Sequence, residues 1–444
     1  MEKIPVIQVG IQFKPNIEFT LSGTYKTADI ALATGKWEAR INNGAIEISG
    51  GDQTFYCSSG LILNPMESNV NQFTLHNVTI GINFHWQRVE NQTFKGGLKL
   101  LIENEMITAI NILPIEDYLI SVISSEMSAT SSMELLKAHA VISRSWLLAQ
   151  IQKNKNIQER HQNYTSVYQN ENEIIRWYDR EDHLNFDVCA DDHCQRYQGI
   201  TRSSTKAVED AVKATWGEIL AYNNEICDAR FSKCCGGMVE VFENVWEPVN
   251  HPYLKKLVDN PVSPKGFDLN LRSEVAAHQW INGHPDAFCN TNDKKVLNQV
   301  LNDYDQETND FYRWKVEYDQ VELSELVKKR TGIDFGLIKD LIPMERGDSG
   351  RLIKLIIRGE KRTMTIGKEL EIRKALSESH LYSSAFVVEK IYERDSIKFV
   401  LHGAGWGHGV GLCQIGAAVM SDRGYLYTEI LNHYFKDISL VKRY

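Results

Sequence analysis

Through roughly the first 112 residues, apolar and polar positions alternate in short runs: IPVIQVGIQF, IEFTLSGTY, WEARINNGAIEIS, FTLHNVTIGINFHW and LKLLIENEMITAINIL. A period of two, with β-branched residues and Asn-Gly or Gly-Gly between runs, predicts strands joined by tight turns. After Leu113 the period changes. Ile115, Tyr118, Leu119, Val122 and Ile123 recur at the spacing of a helix that turns one face to a core. Ser131 and Glu134 have capping-box spacing, which predicts a second helix running to about Gln150 with Leu135, Ala138, Ile142, Trp146 and Ala149 on its buried side. The stretch from Lys153 to about Gln198 is polar and poorly periodic, and reads as an excursion from the core. Helices are predicted over about 205–214, 294–304 and 321–330 and within SDRGYLYTEILNHYF, and strands in GEILAYNN and RLIKLIIRG.

These elements describe an α+β chain. A β-rich N-terminal region (1–112) precedes a core built on the helical pair (113–258, including the excursion at 153–198). A mixed insertion (259–345) and a C-terminal part with a glycine-rich strand (346–444) follow. At 444 residues, two or three domains are expected. A net charge of −9 argues against nucleic acid as a partner, because its binders carry basic patches. No run approaches the ~20 apolar residues of a membrane helix, and the opening MEKIPVIQVGIQF reads as a strand rather than a signal peptide.

Three groups of residues carry candidate chemistry. Glu126 continues the apolar stripe of the first helix, three residues after Ile123. A carboxylate facing a core pairs, protonates or performs chemistry; the alternative is a helix that frays after Ser124 and leaves Glu126 in water. Lys137 and Arg144, two turns apart on the second helix beside Val141 and Leu148, either look toward Glu126 or are solvated charges. His183, Cys189, His193 and Cys194 lie within twelve residues and are the donor set of a structural zinc. A Cys189–Cys194 disulfide is the competing reading for an oxidising compartment. Finally, Gly403, Gly405, Gly407, Gly409 and Gly411 occupy every second position. In a strand this leaves one face bare for close approach and places Trp406 and His408 on the other. There they would stack on or hydrogen-bond a sugar, or simply pack.

The helical pair, SSEM followed by ELLKAHAVISRSW, resembles the EMP…EALKAQAVAARTY core of the SpoIID/LytB family of bacterial cell-wall proteins. ILPIEDYL before it and AVEDAVKATWGEILAYNNE, FSKCCGG, SGRLIKLIIRG and GAGWGHGVGLCQIGAAVM after it extend the resemblance over roughly residues 95–444. FSKCCGG departs from the family's usual Tyr-His-Ser-x-Ser-Gly-Gly: Phe231 and Ser232 stand for the Tyr and His, so roles of those two do not carry over.

The resemblance implies a lytic transglycosylase that cuts peptidoglycan glycan strands between N-acetylmuramic acid and N-acetylglucosamine and leaves a 1,6-anhydro end, with Glu126 as the general acid and then base. One carboxyl suffices, unlike the usual glycosidase pair, provided it holds its proton near neutrality, which desolvation favours. Lys137, Arg144, Trp406 and His408 are the expected substrate contacts. Similar proteins hold zinc with two His and two Cys just after the catalytic helices, which favours zinc at His183, Cys189, His193 and Cys194. Other members are described as amidase enhancers, so a non-catalytic glycan-binding module that presents its surface to a cell-wall amidase is the alternative. Either role places the protein outside the cytoplasm, and a leader absent from this sequence is therefore expected.

Overall fold

The alternating segments at the start of the chain pair into two facing sheets. In one, strand Val6–Lys14 lies antiparallel to Met106–Pro114, which pairs in turn with Gly97–Glu103 and, through it, Leu61–Pro65. The other runs through Arg88–Lys95, Gln72–Ile80, Asn16–Ser22, Gly35–Asn42, Ala45–Gly50 and Gln53–Cys57. The period-two positions Ile7, Val9, Ile17, Phe19, Leu21, Phe73, Leu75, Leu98 and Leu100 are buried between them. The Asn-Gly signal forms the turn it predicts: Asn43 and Gly44 take φ of 50° and 77° and join Gly35–Asn42 to Ala45–Gly50.

This computed structural model describes all residues except 1–2, 28–29, 59, 68–69, 83–86, 129, 161–165, 178–182, 192–193, 202–203, 301–309 and 394–395, and the side chains of 156–160. Among the described residues, the helices that follow the sheets are α1 (Ile115–Glu126), α2 (Met133–Arg160), α3 (Lys206–Ala214), α4 (Glu274–Asn282) and α5 (Lys294–Val300). Four more lie toward the C-terminus: α6 (Gln320–Thr331), α7 (Glu369–Ala375), α8 (Gln414–Asp422) and α9 (Tyr427–Tyr434). The fold is α+β. One hydrophobic core runs from the facing sheets through α1, α2 and α3 to α8 and α9. A second core lies between α6, α7 and the strands Arg313–Asp319, Ile338–Arg346, Leu352–Gly359, Thr363–Gly367, Phe386–Tyr392 and Ile397–Ala404. Among the described residues, no helix is long and apolar enough to cross a membrane.

Several expectations are corrected. The helix expected to end near Gln150 continues to Arg160. Ser131 does not cap it: its hydroxyl donates to the carbonyl of Gln299 at 2.6 Å, a tertiary contact that local spacing does not reveal. The polar excursion is woven into both halves of the fold. Its hairpin Val167–Gln169/Glu173–Arg176 adds a parallel neighbour to Thr363–Gly367, and Val188–Cys189 pairs parallel with Val6–Lys14. The glycine-rich strand ends at Ala404; Gly405, Gly407, Gly409 and Gly411 all take left-handed φ of 73–88°, so the segment zigzags instead of extending.

Candidate functional site

α1 places its stripe as the spacing predicts. Ile115, Tyr118, Leu119, Val122 and Ile123 are fully buried, and the helix runs through Glu126 rather than fraying after Ser124. Glu126 ends that stripe half-buried, and its Oε1 accepts the backbone N–H of Arg196 at 3.4 Å. Residues 195–198 lie along the helix. Tyr118 stacks on Tyr197 with ring centres 5.1 Å apart and donates its hydroxyl to Gln195 Oε1 at 3.3 Å, and Gln198 N–H donates to Ser121 Oγ. Burial first, then the neighbouring thiols of Cys194 and Cys189, Tyr197 and the Glu126 carboxyl push the Tyr118 phenol well above its ordinary range, so it remains a neutral donor. The loop leaving Glu126 is held from the far side: Ser128 N–H, Ser131 Oγ and Ser132 N–H all donate to Gln299 on α5.

Two residues before Arg196 stands Cys194. Its Sγ lies 3.5 Å from His183 Nε2 and accepts the Cys189 N–H at 3.4 Å. The donor atoms of His183, Cys189 and Cys194 all fall within 4.8 Å of one another. Zinc–sulfur and zinc–nitrogen bonds of about 2.3 and 2.0 Å separate tetrahedral ligands by about 3.5–3.8 Å, so these three side chains fit a zinc ion. His193, the expected fourth ligand, lies outside the described residues. Among the described residues, no two cysteines are joined by a disulfide.

The expected substrate contacts are placed differently. Arg144 is fully buried and forms a two-pronged ion pair with Glu116, Nε to Oε1 at 2.9 Å and Nη2 to Oε2 at 2.7 Å, while Nη1 donates to the Glu218 carbonyl. Glu116 precedes Glu126 by ten residues, about 15 Å along α1, so Arg144 serves the opposite end of that helix. Lys137 pairs with Glu134 at 2.7 Å and lies over the Tyr427 ring. Trp406 is sandwiched between Phe311 and Tyr382, with centroids at 4.8 and 4.7 Å. His408 packs edge-on against Trp246 at 4.4 Å, and its Nδ1 accepts the Val410 N–H. Burial and the charges of Arg230, Arg351 and Arg373 hold the His408 imidazole well below its ordinary pKa, so it is neutral.

The glycines do permit close approach, but by other parts of the chain. A Cβ at Gly411 would stand 2.0 Å from the Arg230 carbonyl, and one at Gly409 would stand 2.4 Å from the buried Arg351 guanidinium. Arg351 donates to the carbonyls of Gly407 and Cys235, which ties the zigzag to the FSKCCGG segment. Arg230 is a residue that sequence reasoning missed. Its guanidinium pairs with Asp228, lies 4.3 Å from the Trp246 ring centre, and acts electrostatically on both His408 and Cys194. It thereby links the zigzag to the His183/Cys189/Cys194 cluster beside Glu126. Only folding brings these segments together, so no local pattern announces it.

The half-buried glutamate that ends α1 and the thiol–imidazole cluster near it lie within a match to a known sequence family. The Stage II sporulation protein (SpoIID) family matches residues 103–222, and a domain of unknown function (DUF8618) matches residues 240–411. Over the first of these regions the chain is similar to the SpoIID/LytB family. An uncharacterized protein of Brachyspira hyodysenteriae is 26% identical over 78% of this chain and 72% of its own length. The Stage II sporulation protein D of Bacillus amyloliquefaciens is 22% identical over 74% of each chain. The amidase enhancer of Bacillus subtilis is 24% identical over 55% of this chain, a match that spans only 34% of the enhancer.

Proposed function

We propose that this chain is a peptidoglycan lytic transglycosylase with Glu126 as its single proton-transfer residue. The observation that carries the reading is the setting of Glu126 at the last turn of α1, half-buried, its Oε1 held by the Arg196 N–H. In the first step Glu126 gives its proton to the glycosidic oxygen as the bond to muramic C1 breaks, and the N-acetylglucosamine 4-hydroxyl leaves. In the second, the muramic C6 hydroxyl attacks C1 and returns its proton to the Glu126 carboxylate. The glycan end becomes a 1,6-anhydro ring, no water is consumed, and the enzyme is restored. Zinc held by His183, Cys189, Cys194 and His193 would supply structure, fixing residues 195–198 and so the amide that holds Glu126. The relatives named for sporulation and amidase enhancement support action at the cell wall, outside the cytoplasm.

The match to an amidase enhancer supports a second reading, in which the chain binds glycan and assists a cell-wall amidase without cutting. Incubating purified protein with glycan strands and weighing the fragments separates the two. Anhydro ends identify the transglycosylase, fragments heavier by one water identify a hydrolase, and uncut strands identify the binder.

A further inference from the structure

A second cluster of metal-ligating side chains shares no residue with the first and has no part in the chemistry above. Cys235, Asp259, Cys289 and Cys413 converge in the core, and their donor atoms fall within 4.8 Å of one another. The Cys235 and Cys289 sulfurs are 3.5 Å apart, far beyond the about 2.05 Å of a disulfide and close to the edge of a tetrahedral zinc–thiolate site, about 3.7 Å. The surroundings are those of metal-bound thiolates and carboxylates. Cys413 Sγ accepts the Cys235 N–H at 3.2 Å, and Asp259 Oδ2 accepts the Cys289 N–H at 3.0 Å. The outer oxygen of Asp259 accepts the Tyr434 hydroxyl at 2.7 Å, and His433 Nε2, buried and without a hydrogen bond, faces it at 3.6 Å. Such outer partners orient ligand carboxylates in metal sites. Three thiols and a carboxylate buried together are costly unless protons or a cation neutralise them. Donor atoms packed this closely suit one ion rather than an iron–sulfur cluster.

We propose that Cys235, Asp259, Cys289 and Cys413 hold a second structural zinc ion, distinct from the one at His183, Cys189 and Cys194. Its position in the chain gives it a purpose. Cys235 and Cys413 flank the two ends of the 240–411 domain of unknown function, and Asp259 and Cys289 lie inside it. The ion would clamp the base of that domain to the SpoIID-like part. Cys289 also anchors the segment leading into α5, whose Gln299 holds the loop after Glu126.

The test uses the full chain, loaded with zinc and freed of loosely bound metal. Wild type should carry two zinc ions per chain, and Cys289→Ala and Cys189→Ala one each. After cobalt substitution, Cys189→Ala should keep a thiolate-to-cobalt charge-transfer band, and Cys289→Ala should lose the part of the band due to this site. Should Cys289→Ala not fold, the wild type still decides: Cys235, Cys289 and Cys413 should resist alkylation when zinc is bound and become reactive after chelation. A Cys289→Ala protein with the wild-type zinc content would overturn the proposal. So would a Cys235–Cys289 disulfide in the unreduced protein, or alkylation that ignores chelation. None of these readouts depends on glycan cleavage.

Discussion

Arg144→Met is the substitution that most sharply separates the structure from the first expectation for that residue. In the folded chain the guanidinium makes two charge-assisted bonds to Glu116, and both partners are fully buried. Methionine fills much of the same volume but leaves Glu116 with only neutral donors, the Tyr444 hydroxyl at 2.6 Å and the Gly217 N–H at 3.4 Å. Breaking a buried pair by removing one partner costs about 3–5 kcal/mol. Because Tyr444 and Gly217 hold the C-terminal segment against α1, the loss should be felt there. Urea unfolding followed by tryptophan fluorescence should show a destabilisation of that size. Arg144→Met/Glu116→Leu, which removes both charges, should recover most of it. Glycan binding by the folded Arg144→Met protein, measured without denaturant, should stay close to wild type. A variant within about 1 kcal/mol of wild-type stability that had lost glycan binding would refute the structural role and return Arg144 to the substrate.

Cys189→Ala should remove the zinc ion proposed at His183, Cys189 and Cys194, loosen residues 195–198 and lower activity along with stability; metal analysis that finds no zinc lost would contradict this ligand set. His139, buried against Phe231 and hydrogen-bonded to Gln414 and Ser143, has its pKa lowered to about 3 by burial and then by the Lys233 charge. The unfolded chain therefore takes up a proton at about pH 6.5 that the folded one refuses, and stability is lost as pH falls from there toward 3. His139→Gln should remove roughly 2 kcal/mol of the stability difference between pH 7 and pH 5, and an unchanged slope in denaturation curves would count against the buried neutral imidazole. Gly409→Ala places a methyl 2.4 Å from the Arg351 guanidinium at a φ of 77°, so a loss of about 1–3 kcal/mol is expected by thermal unfolding, and a neutral result would mean the zigzag is not held by Arg351.

What the sequence made legible follows from periodicity and turn chemistry. The α1 stripe, the Asn43–Gly44 turn and the helix expected over about 205–214 depend on neighbours within a few residues, and each formed in place. Thr205 accepts the Val208 N–H as a cap should, whereas Ser131, with equally good spacing, serves Gln299 across 168 residues. That difference is tertiary, and spacing is blind to it. The same limit hid the Arg144–Glu116 pair, because a charge on a helix is usually solvated and only the packing of α1 on α2 shows this one is not. His183, Cys189 and Cys194 were visible because they lie close in sequence. Cys235, Asp259, Cys289 and Cys413 were not, since they meet only once the 240–411 segment folds back on itself. The glycine repeat was read correctly as demanding close approach but wrongly as an extended strand. Alternation alone does not distinguish extended glycines from left-handed ones.

If Glu126 moves the proton in a water-independent glycan cleavage, the masses of the glycan fragments show it. Wild-type protein and Glu126→Gln should be incubated side by side with purified glycan strands and the products weighed. The wild type should yield 1,6-anhydro ends. A folded, glycan-binding Glu126→Gln should leave the strands intact, because the amide neither gives nor retrieves the proton. Anhydro products formed by Glu126→Gln at the wild-type rate, or intact strands from the wild type itself, would contradict that role.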